Sequence, residues 1–339
     1  MLVTDLLKLM WRGLLAPVVV AIDRGDKCLS YKEALTYYVT RLLLGLPQST
    51  INRILGWQAT LLHRLYPANE VVNTPQVRGL WFGQTAAEAK ASGLRGHVTI
   101  LYMHGGGFVM GEAISQVVDV IQPVLDALVA QELGARVFSL QYDLAPVHRF
   151  PHQPQQAWAV GSLHAMFPHG AYEWLLAQGA TSVVLLGNSA GGTLAVSVMQ
   201  EAAKRGAPQP LGAILLSPWV DLTHTSPSMT RHADSDVIDL PTLLRTQRAY
   251  VDDDQIKAAS PGLHSLEGLP PLMVVYAQRE LMADDIEAFV AKTQAAQVRC
   301  NVLRHPVLCH DYTALIKCGS AVAEAHTTIA LWTSQLLDA

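Results

Sequence analysis

The sequence predicts an α/β chain, with a mostly parallel central sheet covered by helices on both faces. Two observations carry this expectation. From His97 onward, short apolar runs of strand length alternate with helix-length segments, and strands joined through helices imply right-handed crossovers and a sheet buried on both sides. The composition agrees: 339 residues, 50% hydrophobic and 15% charged, can bury a large core and are too apolar for disorder.

The elements follow in order. Residues 1–22 are apolar but carry Asp5, Lys8 and Arg12, and the longest uncharged run, 13–22, is about half of what a bilayer crossing needs. No secretory layout of charge, apolar core and cleavage site is clear. Leu2, Leu6, Leu9 and Leu14 fall at roughly helical spacing, so an amphipathic helix is expected. It would either pack over the domain or rest on a membrane surface, and packing is favoured because apolar helix faces are more often buried in their own protein. Segments 31–44 and 50–65 read as helices, each stopped by proline or glycine, and 77–82 as a short strand. The head, 1–75, is therefore mainly helical.

From residue 76 the core is expected. Strands are predicted over 98–103, 136–142, 181–187, 211–216, 272–276 and 298–303, and helices over 113–133, 153–166, 192–204, 284–296 and 321–336. The stretch 221–261 breaks the rhythm. It is long, polar at its start and helical over 241–251, so it reads as an insertion above the carboxyl edge of the sheet, where α/β proteins build their sites.

Charge and cysteine usage exclude several classes. A net charge of −4 with no basic block disfavours a nucleic-acid surface. Cys28, Cys300, Cys309 and Cys318 form no C-x-x-C pair, and the chain has no N-x-S/T sequon. A secreted disulfide framework is disfavoured, and buried free thiols in a cytoplasmic protein are expected, with membrane association through the N-terminal helix as the open alternative.

Chemistry enters at Gly187-Asn188-Ser189-Ala190-Gly191-Gly192. A β-branched strand runs into a helix here, so Ser189 sits on the turn between them, held proud of the sheet as a nucleophile on an elbow. The small neighbours leave room for a strained backbone. Taken alone, G-x-S-x-G is also compatible with a plain glycine-rich turn. Upstream, His104-Gly105-Gly106-Gly107-Phe108 follows the 98–103 strand. Backbone N–H groups of such a loop can approach a developing oxyanion without Cβ obstruction. It is not a dinucleotide loop, because the next glycine, Gly111, falls one residue late, and no Walker lysine-serine pair follows. The two motifs in this order are far more specific than either.

A serine nucleophile needs a base and the base an orienting acid, in the order serine, acid, histidine. His310 is favoured over His305, which stands at a strand end. Among Glu280, Asp284 and Asp285, Glu280 lies in the loop after a strand, while the two aspartates fall in a first helical turn, where acids are ordinary capping residues. No metal or cofactor is called for. The nearest ligand pattern, His148 with His152, reads as polar loop residues flanking Pro151.

With these residues in place the chain resembles the hormone-sensitive-lipase-like branch of the α/β-hydrolase superfamily, from about Gly79 to the C-terminus. The matching pieces are the two glycine motifs, Tyr142-x-Leu144-Ala145-Pro146 with Phe150-Pro151, Ser217-Pro218-Trp219-x-Asp221-Leu222, Ser260-Pro261, and the Glu280 and His310 segments, Tyr312 following the base. The resemblance implies an α/β-hydrolase fold. It also implies oxyanion donors at Gly106, Gly107 and Ala190, and a cap built from the head and the 221–261 insertion. Two departures stand out. The family usually has aspartate where Glu280 stands, and Asp143 and Val147 occupy positions where arginine and glutamate are common, so a structural ion pair is missing or rebuilt. The head and Phe150-Pro151-His152-Gln153 are similar to fungal members, including steryl acetyl hydrolases and hydrolases of natural-product pathways.

The implied function is metal-independent hydrolysis of an apolar small-molecule ester through an acyl-enzyme. A natural-product tailoring enzyme using the same triad, or only its His310 base, for acyl transfer, cyclisation or condensation is the alternative, and a ligand-binding module with a vestigial site is a third. Trp11, Trp57, Trp81 and Trp219 suggest an apolar pocket.

Overall fold

The computed structural model describes residues 39–158, 170–315 and 319–338. The expected helix over 1–22, most of that over 31–44 and the end of that over 153–166 lie outside them, as do Trp11, Cys28 and Cys318.

Residues 39–44 are helical and lead into α1 (Gln48–Leu65). A hairpin follows, β1 (Glu70–Asn73) and β2 (Arg78–Gly83), then α2 (Ala86–Ala91), β3 (Gly96–Met103), α3 (Gln122–Val129), β4 (Leu133–Leu140), α4 (His152–Ala157) and α5 (Ala171–Ala177). The chain continues through β5 (Val183–Asn188), α6 (Ala190–Arg205), β6 (Gly212–Leu216), α7 (Ser228–Arg231) and α8 (Leu240–Tyr250). It closes with β7 (Leu272–Ala277), α9 (Ala283–Ala295), β8 (Cys300–His305), α10 (Tyr312–Leu315) and α11 (Ser320–Leu337).

The eight strands form one sheet in the order β1-β2-β4-β3-β5-β6-β7-β8. Pairings β1/β2 and β2/β4 are antiparallel, and the remaining five are parallel. Side-chain alternation along the strands feeds two cores. Val98, Ile100 and Tyr102 pack with Val184 and Leu186 under α3 and α11. Leu101 and Met103 pack with Leu185 under α6 and α9. Burial of each such aliphatic side chain contributes roughly 1.5–3 kcal/mol, which is why the central strands read as unbroken apolar runs.

The differences from expectation have local causes. β1 was not expected because three of its four residues are exposed and supply no apolar alternation. The helix expected over 113–133 is shorter: a π turn, Val117–Ile121, precedes α3, and β4 already begins at Leu133. Gly134 lies so close to α2 that a Cβ there would stand 2.3 Å from that of Ala89. β8 is displaced two residues onward from the expected strand, so His305 is its last residue.

The topology fixes where a site can form. β4 and β5 lie on opposite sides of β3, and α3 and α6, which follow β3 and β5, cover opposite faces. The carboxyl ends of β3 and β5 therefore flank a switch point, the crevice where open α/β sheets bind ligands. Asp239 caps α8 by accepting from the Thr242 N–H at 2.8 Å, and Ile238, Thr242, Leu243 and Thr246 of this region line the cavity above the crevice.

Candidate active site

Ser189 occupies the turn between β5 and α6 at φ 52°, ψ −116°. A non-glycine residue holds such a backbone only where its surroundings over-determine it. Its N–H donates to the Leu216 carbonyl at 2.9 Å, and its own carbonyl accepts from Gly192 and Trp219 at 2.9 and 3.0 Å. The neighbours must be small: a Cβ on Gly191 would lie 1.8 Å from the Met103 carbonyl oxygen, and one on Gly187 2.2 Å from that of Gly191. Ala190 opens α6, so its N–H is among those a helix leaves without an intrahelical acceptor, at the positive end of the helix dipole.

The loop after β3 bends over this turn. Gly106 and Gly107 have φ of 112° and 60°, and a Cβ on Gly107 would meet the Thr246 methyl at 2.2 Å. His104 stacks on Tyr142 with ring centroids 4.1 Å apart. Burial pushes its pKa down to about 4, so the ring is neutral, and its Nδ1 lies 2.7 Å from the Gly105 carbonyl oxygen. A trans peptide is planar with C=O and N–H opposed. Fixing the Gly105 carbonyl toward His104 therefore turns the Gly106 N–H the other way.

His310 follows β8, and its Nδ1 stands 2.6 Å from Glu280 Oε2, with side-chain exposures of 2% and 0%. Burial alone would depress the imidazole pKa. The Glu280 hydrogen bond and charge, helped by Asp236 and Asp311, outweigh it and raise the value to about 9. Glu280 is held by the Ala277 N–H at 3.0 Å and the Ser217 hydroxyl at 3.2 Å. Asp236, fully buried and contributed by the stretch between β6 and β7, accepts from the N–H groups of His310 and Leu281 at 2.8 and 2.7 Å. It fixes the loops of both partners.

Ser189, His310 and the Gly105–Gly107 loop line one cavity of about 580 Å³, whose walls are mainly apolar, with Leu43, Ile51, Ile54 and Leu55 from the helical head and Ile238 and Leu243 from the insertion. Trp219 also lines it. Trp57 is 72% exposed and Trp81 packs in the core against Phe138, so neither belongs to the pocket. The alternatives weighed in the sequence stand apart. Asp284 accepts from the Ser228 N–H at 2.9 Å and pairs with Arg231. His305 Nδ1 accepts from Val307 and Leu308 N–H groups and shapes the turn after β8. Asp236 and Asp311 carried no sequence signal of their own, and Ser217 stood only at the head of a family-like segment with no role read from it, because their partners are distant in the chain.

The ion pair in doubt at Asp143 is rebuilt: its carboxylate pairs with Arg78 and lies 2.8 Å from His152 Nε2. Among the described residues, Asp143, His148 and His152 form the one group with the donor types and spacing for a metal ion, their donor atoms lying within 4.8 Å of one another. The carboxylate is already engaged by Arg78, His152 and, at 2.9 Å, Gln156. No described helix is long and apolar enough to cross a membrane.

Comparison with known proteins gives the family of the chain. Residues 100–314 match a family described as alpha/beta hydrolase fold. An acetyl-hydrolase of Streptomyces hygroscopicus is 34% identical over 195 residues, 56% of this chain and 60% of that protein. An esterase of Gibberella moniliformis is 30% identical over 255 residues, covering 72% of this chain and 76% of the relative. The crystal structure of an esterase from the bacterial hormone-sensitive lipase family superposes with a TM-score of 0.75 at 25% identity, over 91% of this chain and 99% of its own. The chain thus belongs to the alpha/beta hydrolase fold family, within its hormone-sensitive-lipase-like branch.

Proposed function

We propose that the protein is a serine carboxylic ester hydrolase acting on an apolar small-molecule ester through an acyl-enzyme. The observation that carries this reading is the shared cavity: Ser189, the Glu280-bound His310 and the three-glycine loop open on one apolar space. Glu280 engages Nδ1 of His310, which leaves Nε2 to take the proton of Ser189 as its Oγ attacks the ester carbonyl. The N–H groups of Gly106, Gly107 and Ala190 receive the oxyanion. His310 then returns its proton to the departing alcohol, and water, activated by the same base, releases the acid.

In this reading the helical head and residues 221–261 act as a cap, since both contribute cavity walls. The esterase and acetyl-hydrolase names of the relatives support ester chemistry. The test is labelling of Ser189 by a fluorophosphonate probe, coupled with turnover of short acyl esters in ¹⁸O water. An initial burst, with label entering the acid, is expected. Turnover without ¹⁸O incorporation would replace hydrolysis by acyl transfer, cyclisation or condensation.

A further inference from the structure

Behind Ser189 a line of hydrogen bonds crosses the carboxyl ends of the sheet. Glu280 Oε1 accepts from the Ser217 hydroxyl at 3.2 Å, and Ser217 Oγ accepts from the Asp311 N–H at 2.9 Å. Asp311 Oδ2 accepts from Asn188 Nδ2 at 2.5 Å. Asn188 Oδ1 accepts from the Gly105 N–H at 2.9 Å, an N–H that also lies 3.3 Å from Gln116 Oε1. It stands 2.9 Å from the Tyr102 hydroxyl, whose single proton it shares with Gln116 Oε1 at 2.5 Å. The path runs from the end of β7, past β6 and the loop after β8, to the ends of β5 and β3.

Asp311 is a buried carboxylate held in a left-handed backbone. It directly follows His310, adopts φ 53° and is 4% exposed. Its second carboxylate oxygen has no hydrogen-bond partner among the described residues. Burying a carboxylate so poorly satisfied is costly. Helix capping does not explain it: Ala314 N–H goes to the Asp311 carbonyl at 2.9 Å, while the side chain turns to Asn188. Burial raises its pKa to about 6, while the His310 charge and the Asn188 hydrogen bond pull it back toward the ionised form, and Oδ2 is the accepting atom toward Asn188.

What the carboxylate does follows from donor and acceptor logic. An ionised carboxylate only accepts, so Asn188 must present its NH₂ to Asp311 and its carbonyl oxygen to the other side. That other side holds the Gly105 N–H, for which Asn188 Oδ1 is the nearer acceptor, and the Tyr102 hydroxyl, which is shared with Gln116. Three consecutive glycines have the greatest backbone freedom and no Cβ to pack, so hydrogen bonds must hold the loop for its N–H groups to be preorganised.

We propose that Asp311 is a positioning residue that sets the orientation of the Asn188 amide and thereby fixes Gly105, the first residue of the oxyanion loop, against the elbow of Ser189. Through its own N–H to Ser217 it ties the same loop to Glu280. This inference rests on the ester hydrolase reading of the site.

The test uses the full chain and a short soluble ester. Asparagine and glycine both tolerate the positive φ at 311, so D311N and D311G separate the side chain from the backbone. D311G is expected to lose about tenfold or more in kcat with KM within about threefold, and to slow fluorophosphonate labelling of Ser189 by a similar factor, as loss of a group acting on the transition state does. D311N, which keeps an acceptor oxygen, should recover most of the loss. N188A should mimic D311G, and the double variant should be no worse than the poorer single, because both act through one link. Should D311G fail to fold, N188A beside D311N carries the same comparison. Wild-type kcat in N188A or D311G, equal loss in D311N and D311G, or additive losses overturn the inference alone. A wild-type chain that neither labels nor hydrolyses overturns the ester hydrolase reading and this inference with it.

Discussion

His310 and Glu280 meet through Nδ1 and Oε2 at 2.6 Å in a pocket closed to solvent on both sides of the bond. The glutamate reaches the imidazole although it stands where the family usually has a shorter acid, because the Ala277 N–H and the Ser217 hydroxyl grip its other oxygen.

The assignments of base and acid are tested by substitution. S189A and H310A should lower short-ester turnover by about 10⁴-fold or more, and E280A by somewhat less, since the acid orients and does not react. H305A and D284N should stay within about threefold of wild type, because loop shaping and surface pairing are worth little to the reaction. Steady-state kinetics of the five variants decide it, and an essential His305 would move the base.

The pH dependence has a definite sign. The base works when neutral, and His310 is pulled above the ordinary imidazole value toward about 9, burial being outweighed by Glu280, with Asp236 and Asp311 adding their charge. The rising limb of kcat/KM is therefore expected on the alkaline side of free imidazole. E280Q removes a negative neighbour, lowers the imidazole pKa and should shift that limb to lower pH while reducing the plateau. A limb that stays in place would show that Glu280 does not set it.

Close packing under the elbow predicts a stability effect. G191A forces a methyl group to within 1.8 Å of the Met103 carbonyl oxygen, so β3 and α6 must separate. A loss of about 1–3 kcal/mol or more in urea unfolding is expected, together with loss of Ser189 labelling.

The apolar walls should set substrate size. I54W narrows the cavity from the side of α1 and should reduce kcat/KM for bulky esters by about tenfold or more, as loss of one apolar subsite contact does, while acetyl esters are little affected. A panel of graded acyl lengths reads this directly. Equal loss on all lengths would place Ile54 in general support of the site.

Much of this was legible in the sequence because the constraints are local. The buried strands, the elbow at Ser189 and the glycine loop at Gly105 each confine their chemistry to a few consecutive residues. Glu280 and His310 were chosen from chain order and loop position, and the fold brings the two side chains to 2.6 Å. What escaped was long-range: Asn188 and Asp311 are 123 residues apart, and Asp236 is 74 residues from the His310 it supports. Polar side chains of this kind look like ordinary loop residues until the fold brings their partners to them. β1 escaped for the opposite reason, being exposed on three of four residues, so that no periodicity marks it. At Asp143 the missing partner was supplied by Arg78, 65 residues upstream, a pairing that the antiparallel addition of β2 to β4 makes available.

Asp236 has a consequence for how this protein can diversify. The segment between β6 and β7 that walls the pocket also carries the carboxylate that clasps the backbone of the base and the backbone beside the acid. Grafting that segment from a relative would recast the pocket and loosen the His310–Glu280 pair in one step. Variation in substrate range is therefore freer at the pocket-lining apolar side chains Ile238 and Leu243 than at Thr246, which packs on Gly107, or at the few residues around Asp236, and a library built to retarget the protein gains by randomising the first pair and leaving the others alone.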